Sequence, residues 1–548
     1  MNFNLLLITL IIFSCIFFNK ISFRFGIPTL FVFILLGMAF GSDGFARISF
    51  DNFALSETVC SVALIYIMFY GGFGTNWKMA RPVARQSILL STAGVFLTAL
   101  FLGLFLYLLI RREFWLCFLT GSALASTDAA SVFSVLRSQK LDLKENTASI
   151  LELESGSNDP MAYMLTLVCL SFLTGEADAG SILRLLTAQL VFGIAIGALC
   201  GLLSYRILKS VSFEVDGFDV IFIAGIALFS YALSAALGGN GYLSTYLTGI
   251  ILGNVKMGGK KNIVHFFDGL TGLMQMAVFF LLGLLATPSL LPGVLISAVS
   301  VFLFLTLVAR PLAVKLLLLP FRASKGQSRL ISFAGLRGAS SIVFAIMAVQ
   351  TLKSDTRFFH IIFFVVLLSL LVQGSLLPFA ARRFDMIDLS NDVMKTFTDY
   401  SEELPVQFIQ LTLAEDNEWV GKHISELALP LQFLFLLIVR EDKKLVPKGT
   451  TLLEAGDSLI LCAPAIQTRN AMQLSEIEID KSSEYLHRHI RDINLPRGEI
   501  IFLIQRGNQS IIPNGQTEIL AGDTLMLTRL KEKERSPHSP SRVLTSGQ

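Results

Sequence analysis

Apolar runs long enough to cross a bilayer recur along the first 383 residues of this chain, and no other feature restricts its fold so strongly. They lie near 3–19, 27–41, 54–72, 88–110, 113–137, 148–174, 183–208, 218–237, 241–254, 262–286, 291–319, 327–351 and 357–381. A backbone in hydrocarbon must satisfy its own hydrogen bonds, and roughly twenty apolar residues of helix cover the core of a bilayer. The pattern predicts a polytopic α-helical membrane protein of about thirteen transmembrane helices. The runs at 27–41 and 241–254 are short enough for re-entrant or broken segments. Composition agrees: 16% of the 548 residues are charged, against roughly 25% in soluble domains.

Basic residues orient these spans. One alternating set of loops carries Lys20/Arg24, Lys78/Arg81/Arg85, Arg137/Lys140/Lys144, Arg206/Lys209, Lys256/Lys260/Lys261, Arg322/Lys325/Arg329 and Arg382/Arg383. The opposite set carries only Arg47, Arg111/Arg112, Arg184 and Lys353/Arg357. The positive-inside rule places the first set in the cytoplasm, with the N-terminus outside, the C-terminus inside and an odd number of spans. The run at 3–19 has no basic stretch before it and no small-residue cleavage site after it, so it reads as a retained span, not a secretory signal. The six cysteines show no metal-ligand spacing and read as small core residues. His265 and His360 flank span ends and read as surface or loop histidines.

Residues 1–383 thus read as a membrane domain, and composition changes after Arg383. Residues 384–404 are polar and acidic and read as a linker. Beyond it lies a soluble α+β region built from an internal repeat. Ile424-Ser425-Glu426-Leu427-Ala428-Leu429-Pro430 matches Ile490-Arg491-Asp492-Ile493-Asn494-Leu495-Pro496. Val446-Pro447-Lys448-Gly449 matches Ile512-Pro513-Asn514-Gly515, and Ala455-Gly456-Asp457 matches Ala521-Gly522-Asp523, all at one offset of 66 residues (424 against 490). Two tandem modules, 405–465 and 471–530, are expected. Residues 531–548 are basic and Ser/Pro-rich and read as a disordered tail.

The chemistry lies in carboxylates set within the apolar runs. Ala125-Ser126-Thr127-Asp128 and Leu153-Glu154-Ser155-Gly156-Ser157-Asn158-Asp159-Pro160 each place acids beside hydroxyls or amides. An ionisable group at membrane depth costs several kcal/mol unless it is paired, hydrated or occupied by an ion, so it marks function. At 3.6 residues per turn Ser155 shares a helix face with Asp159, and Glu154 with Asn158, so one acid can serve an ion and the other the structure. Oxygen ligands of this kind suit Na⁺, K⁺ or Li⁺. Ser126-Thr127-Asp128 weakens its helix near the middle, and broken helices at the midplane are a common transporter device. Gly335-Leu336-Arg337-Gly338-Ala339-Ser340-Ser341 sets an arginine between glycines inside a span, where it needs a buried acid: Glu154 or Asp128. Arg310, before Pro311 near a helix end, is expected to snorkel.

At these residues the chain resembles the monovalent cation:proton antiporters of the NhaP type over nearly all of residues 1–383. The Thr-Asp pair, the Glu-Ser-x-x-Asn-Asp run and the Gly-x-Arg-Gly run carry the likeness. The resemblance implies inverted repeats, crossed broken helices and a homodimer. It implies that Asp159 alternately binds cation and proton, that Ser155, Thr127 and Asp128 complete or hydrate the ion site, and that Glu154 and Arg337 form a buried structural ion pair. Asn158 stands where the electrogenic branch has a second Asp. Ala129 departs from the Pro that many relatives carry there. The twin modules resemble the TrkA-C (RCK-C) domain, and potassium/proton antiporters of the cell-volume-regulation type join such modules to such a membrane domain.

The function expected is therefore electroneutral, alternating-access potassium/proton antiport in a bacterial inner membrane, regulated by the cytoplasmic modules. A sodium/proton antiporter of the same fold is the alternative. A ligand-gated potassium channel is the alternative of another class, against which the sequence lacks a TVGYG-like filter. No nucleophile motif, metal spacing or P-loop points to an enzyme. The partners expected are K⁺ (or Na⁺), H⁺ and the lipid bilayer, with no nucleic acid. No cofactor is expected beyond a nucleotide effector on the modules, by family analogy alone.

Overall fold

The computed structural model describes residues 2–25, 28–139, 141–175, 178–210, 217–255, 260–353, 356–388, 406–415, 417–427, 434–440, 443–464, 472–480, 483, 485–493, 495, 499–506, 509–511 and 513–530. The chain divides into two units, 1–401 and 402–548.

The first unit is helical, and its helices follow the thirteen apolar runs in order. They are α1 (Asn2–Phe25), α2 (Thr29–Phe40), α3 (Phe53–Gly74), α4 (Ala84–Ile110), α5 (Phe114–Ala125), α6 (Ala129–Ser138), α7 (Thr147–Leu173), α8 (Ala179–Ser210) and α9 (Phe218–Ala236). Then come α10 (Gly241–Asn254), α11 (Lys260–Leu285), α12 (Pro288–Phe321), α13 (Lys325–Phe333), α14 (Ala339–Leu352) and α15 (Arg357–Arg383). Among the described residues seven helices are long and apolar enough to cross a membrane, and the bent pair α5/α6 makes an eighth. The two short runs form unbroken helices, α2 and α10. The breaks fall in the fifth and twelfth runs, between α5 and α6 and between α13 and α14. Glycine allows close crossings: a Cβ on Gly249 of α10 would stand 2.2 Å from the Phe69 carbonyl oxygen of α3.

Three helices contain a single π-helical stretch, at Leu90–Gly94, Leu305–Ala309 and Ser369–Gln373. Such turns re-aim the side chains that follow them. The second immediately precedes Arg310, and the third supplies Ser369, whose hydroxyl accepts the Arg337 amide at 3.1 Å. The five cysteines among the described side chains are buried and free, and Cys462 lies outside them. His360 is buried, not superficial: its Nδ1 lies 2.8 Å from the Thr356 carbonyl and its Nε2 accepts the Thr287 amide. The first residues of the expected linker are folded, since Ile387–Asp388 pairs antiparallel with Asp142–Leu143. Residues 389–405 and the tail lie outside the described residues.

The second unit holds two four-stranded antiparallel sheets. The first contains β1 (Val406–Thr412), β2 (Leu434–Arg440), β3 (Lys443–Leu445) and β4 (Ser458–Pro464), in the order β1-β4-β2-β3. The second contains β5 (Met472–Glu478), β6 (Glu499–Arg506), β7 (Gln509–Ile511) and β8 (Asp523–Leu530), in the order β5-β8-β6-β7. The repeat seen in sequence is thus a repeat of topology. Its Ala-Gly-Asp motif serves one purpose twice. Arg440 makes a two-pronged contact with Asp457 (2.7 and 2.8 Å), as Arg506 does with Asp523 (2.8 and 2.8 Å). Each aspartate also accepts a backbone amide, Glu454 or Leu520, and so closes the turn before its strand. Burial alone would raise the Asp457 and Asp523 carboxyls. The arginine hydrogen bonds and charge, with the turn amides, outweigh it and hold both below the usual carboxylate range.

Candidate functional site

Two unwound segments, 126–128 and 335–338, bring the site together. They cross: the Asp128 amide donates to the Leu336 carbonyl at 2.8 Å. The crossing requires glycine at 338, where a Cβ would stand 2.6 Å from Asp128 Cβ. An unwound backbone at this depth leaves amides and carbonyls without helical partners, and neighbouring side chains answer them.

Helix α7 supplies most of those answers. Glu154, Ser155, Asn158 and Asp159 are all buried. Ser155 donates its hydroxyl to the Thr127 carbonyl at 2.5 Å. Asn158 Nδ2 donates to Thr127 Oγ1 at 2.6 Å, while its Oδ1 lies 3.1 Å from Ser126 Oγ. Asn158 therefore braces the unwound segment with both ends of its amide. Pro160, which cannot donate, has its own carbonyl capped by Asn240 Nδ2 at 2.9 Å, and Asn240 Oδ1 caps the start of α10.

Asp159 sits beside the crossing, 6% exposed, and accepts a hydrogen bond from Ser126. Ser126 Oγ also lies 3.1 Å from Ser340 Oγ. A hydroxyl has one proton, so Ser126 can donate to Asp159 or to Asn158 at any moment, and Ser340 can donate to Ser126. Asp159 thus faces the Ser126 hydroxyl, which is linked in turn to the Ser340 hydroxyl and the Asn158 amide oxygen, and the hydroxyls of this set can switch between donating and accepting. Such a shell suits a hard monovalent cation or a proton. Among the described residues no group of three or more His, Cys, Asp or Glu side chains is placed to hold a metal ion.

The structure distributes the predicted site residues as follows. Asp159, Asn158, Ser155 and Thr127 form one hydrogen-bonded cluster. Asp128 lies in the crossing, but its carboxylate engages the first turn of α6. Oδ1 accepts the amides of Ala130 (3.0 Å) and Ser131 (3.4 Å), and Oδ2 accepts the Ser131 hydroxyl (2.6 Å). This is helix N-capping. The expected Glu154–Arg337 pair is corrected. Glu154 pairs with Arg310, Oε1 to Nη2 at 2.5 Å, with both side chains at most 2% exposed. The contact is one of charge, since neither group makes an aligned hydrogen bond among the described residues. Arg310 is therefore not a snorkelling residue. The π turn before it directs it inward, and Gly335 makes room: a Cβ there would stand 3.1 Å from Arg310 Nε. Arg337 instead donates from Nη1 to the carbonyls of Ala125 (2.8 Å) and Ser126 (2.7 Å), the last of α5 and the first of the break. Sequence reasoning missed Ser126 and Ser340 as partners of the acid. The signal was present, because both hydroxyls lie inside the two motifs that break the helices.

The model of the family described as "Sodium/hydrogen exchanger, transmembrane" matches residues 7–383. That of the TrkA-C domain matches residues 408–470 and again 474–528. A K(+)/H(+) antiporter NhaP2 of Shewanella sp. (strain MR-4) is 36% identical over 456 residues, covering 81% of this chain and 78% of the relative. A K(+)/H(+) antiporter NhaP of Alkalimonas amylolytica is 32% identical over 470 residues, covering 85% and 82%. The structure of the sodium proton antiporter MjNhaP1 from Methanocaldococcus jannaschii at pH 8 is similar in fold, with a TM-score of 0.62 at 22% identity over 69% of this chain and 97% of that one. Crossed helix breaks beside a buried aspartate, a family match over most of the length and a shared fold lead to one conclusion: the chain belongs to the transmembrane sodium/hydrogen exchanger family, and carries a pair of TrkA-C domains.

Proposed function

We propose that this protein is a secondary active, electroneutral potassium/proton antiporter in which cation and proton compete for Asp159. The observation that carries the reading is Asp159 itself, a carboxylate 6% exposed beside two crossed helix breaks and facing oxygen donors. Burial penalises its charge unless a cation or a proton neutralises it, so the two ligands exclude each other. Alternating access then carries one or the other across. Ser126 and Ser340 serve both states, because a hydroxyl can donate to the carboxylate or turn its lone pairs to a cation. With Asn158 neutral, one proton replaces one monovalent cation and no net charge moves. Potassium is favoured over sodium by the activity named for the two similar relatives and by the TrkA-C pair.

The domain assignment is part of this proposal: 1–383 for exchange, 384–404 as linker, 405–465 and 471–530 as cytoplasmic regulatory modules, and 531–548 as tail. The modules bias one conformer through the differential affinity of an effector, with a nucleotide as the candidate. The exchange unit works as a homodimer in the bacterial inner membrane, with its N-terminus outside.

The test is proton flux in proteoliposomes with a lumenal pH dye and clamped voltage. K⁺ should alkalinise an acid-loaded lumen at a rate independent of the imposed voltage. Asp159→Asn should assemble normally and exchange nothing. Robust exchange by that variant refutes the site, a response to Na⁺ alone makes the protein a sodium/proton antiporter, and a voltage-dependent rate refutes electroneutrality.

A further inference from the structure

A cavity of about 450 Å³ opens beside the crossing, between α1, α2, α6 and α11. Its α6 wall includes Ala130, whose amide donates to the capping Asp128 carboxylate, and runs on to Ser134. Its α11 wall presents Asp268, Gly272 and Gln275, and Thr29 of α2 stands across from them. A Cβ on Gly272 would meet nothing within 4 Å, so this face of α11 is open. Asp268 is exposed on it, and its Oδ1 accepts the hydroxyl of Tyr70, whose ring stacks on Phe267 at 6.0 Å. A carboxylate within a membrane helix must be paired, hydrated or occupied by an ion, and Asp268, with one hydroxyl donor and an exposed position, is open to water or a cation. Helix α11 begins at Lys260 and Lys261, and α6 leads toward Lys140 and Lys144. The cavity thus lies on the side of the basic loops, whose charge opposes the approach of a cation. Asp268 is the one acidic residue among its described lining.

We propose that Asp268 is an entry carboxylate, which draws the monovalent cation past the basic loops and concentrates it in this cavity, one turn of α6 from the crossing, before it passes to Asp159. The Tyr70 hydroxyl positions the carboxylate without neutralising it. The role rests on Asp159 being the exchange site, and it is a positioning role: Asp268 raises local cation concentration and takes no part in the exchange.

Exchange by the full-length protein in vesicles, titrated with K⁺ from the face bearing the basic loops, tests it. Asp268→Asn should raise the KM for K⁺ about tenfold, the lower end of field focusing by a charged cleft, and leave the maximal rate unchanged. Added inert salt should alter its KM less than that of the parent protein, and Asp268→Glu should restore the parent KM. Gly272→Lys, which sets a positive charge on the same open face, should raise KM in the same direction and serves if Asp268→Asn fails to assemble. An assembled Asp268→Asn or Gly272→Lys variant whose KM stays within about twofold of the parent overturns the proposal. Asp159→Asn, run alongside, separates the two readings: exchange by that variant sinks the site, whereas its silence beside an unchanged Asp268→Asn sinks the entry role alone.

Discussion

Replacing Arg310 by methionine strands the Glu154 carboxylate, 1% exposed, without its ion-pair partner. Removing one member of a buried pair costs about 3–5 kcal/mol, most of it the penalty for the charge left behind. The first unit has 401 residues, and unfolding entropy of about 2.1 cal/mol/K per residue sums to roughly 0.8 kcal/mol/K. The loss should therefore appear as a fall of about 4–6 °C in Tm, read from thermal unfolding of the detergent-solubilised protein. Removing Glu154 as well should recover most of it, since an apolar replacement of a whole buried pair is often neutral. Combining Arg310→Met with Glu154→Leu should therefore give a strongly non-additive double-mutant cycle. Arg337→Met should also destabilise, through the hydrogen bonds lost to Ala125 and Ser126, but with weaker coupling to Glu154. An unchanged Tm in Arg310→Met, or a cycle in which Arg337 rather than Arg310 couples to Glu154, refutes the assignment.

Gly338→Ala should force the crossing apart, because the new methyl would stand 2.6 Å from Asp128 Cβ. Overpacking of this kind costs about 1–3 kcal/mol, and an alanine variant with parent stability and exchange would show that the segments do not cross there. The soluble unit should weaken in acid. Asp457 and Asp523 are held below their ordinary value of 3.8, so the stability they contribute is fully present above that value and is lost as pH falls through their lower folded values. Hydrogen exchange of β4 and β8 in the full chain, followed from about pH 5 to pH 3, should show protection falling at the acid end. Combined Asp457→Asn and Asp523→Asn substitutions should flatten that profile, and an equally steep one would place its cause elsewhere.

The sequence was most informative where physics leaves few choices. Apolar length set the helices, and a repeat at one constant offset set the twin sheets. Acids among hydroxyls located the site, since a carboxylate at that depth needs a partner, water or an ion. Helical period put Ser155 and Asp159 on one face, and both reach the crossing. Period could not say which arginine meets Glu154, because Arg310 and Arg337 lie on different spans and only tertiary packing brings one of them within 2.5 Å. Arg310 was misread because its distance from a helix end resembles that of a snorkelling residue, while the π turn that redirects it has no sequence signature. Ser126 and Ser340 stand inside the helix-breaking motifs, but hydroxyls recur throughout these helices, and the fold is what distinguishes those facing Asp159.

The break between α5 and α6 also exposes two electrical poles, a partly negative end where α5 stops and a partly positive one where α6 starts. The Arg337 guanidinium lies on the first, at the Ala125 and Ser126 carbonyls, and the Asp128 carboxylate on the second, at the Ala130 and Ser131 amides. The dipoles of this interrupted helix are thus answered by permanent residents rather than by the cargo. The break can stand empty without an unbalanced field, and the charge left to be settled beside it is that of Asp159, which is what the proposed exchange of ion for proton requires.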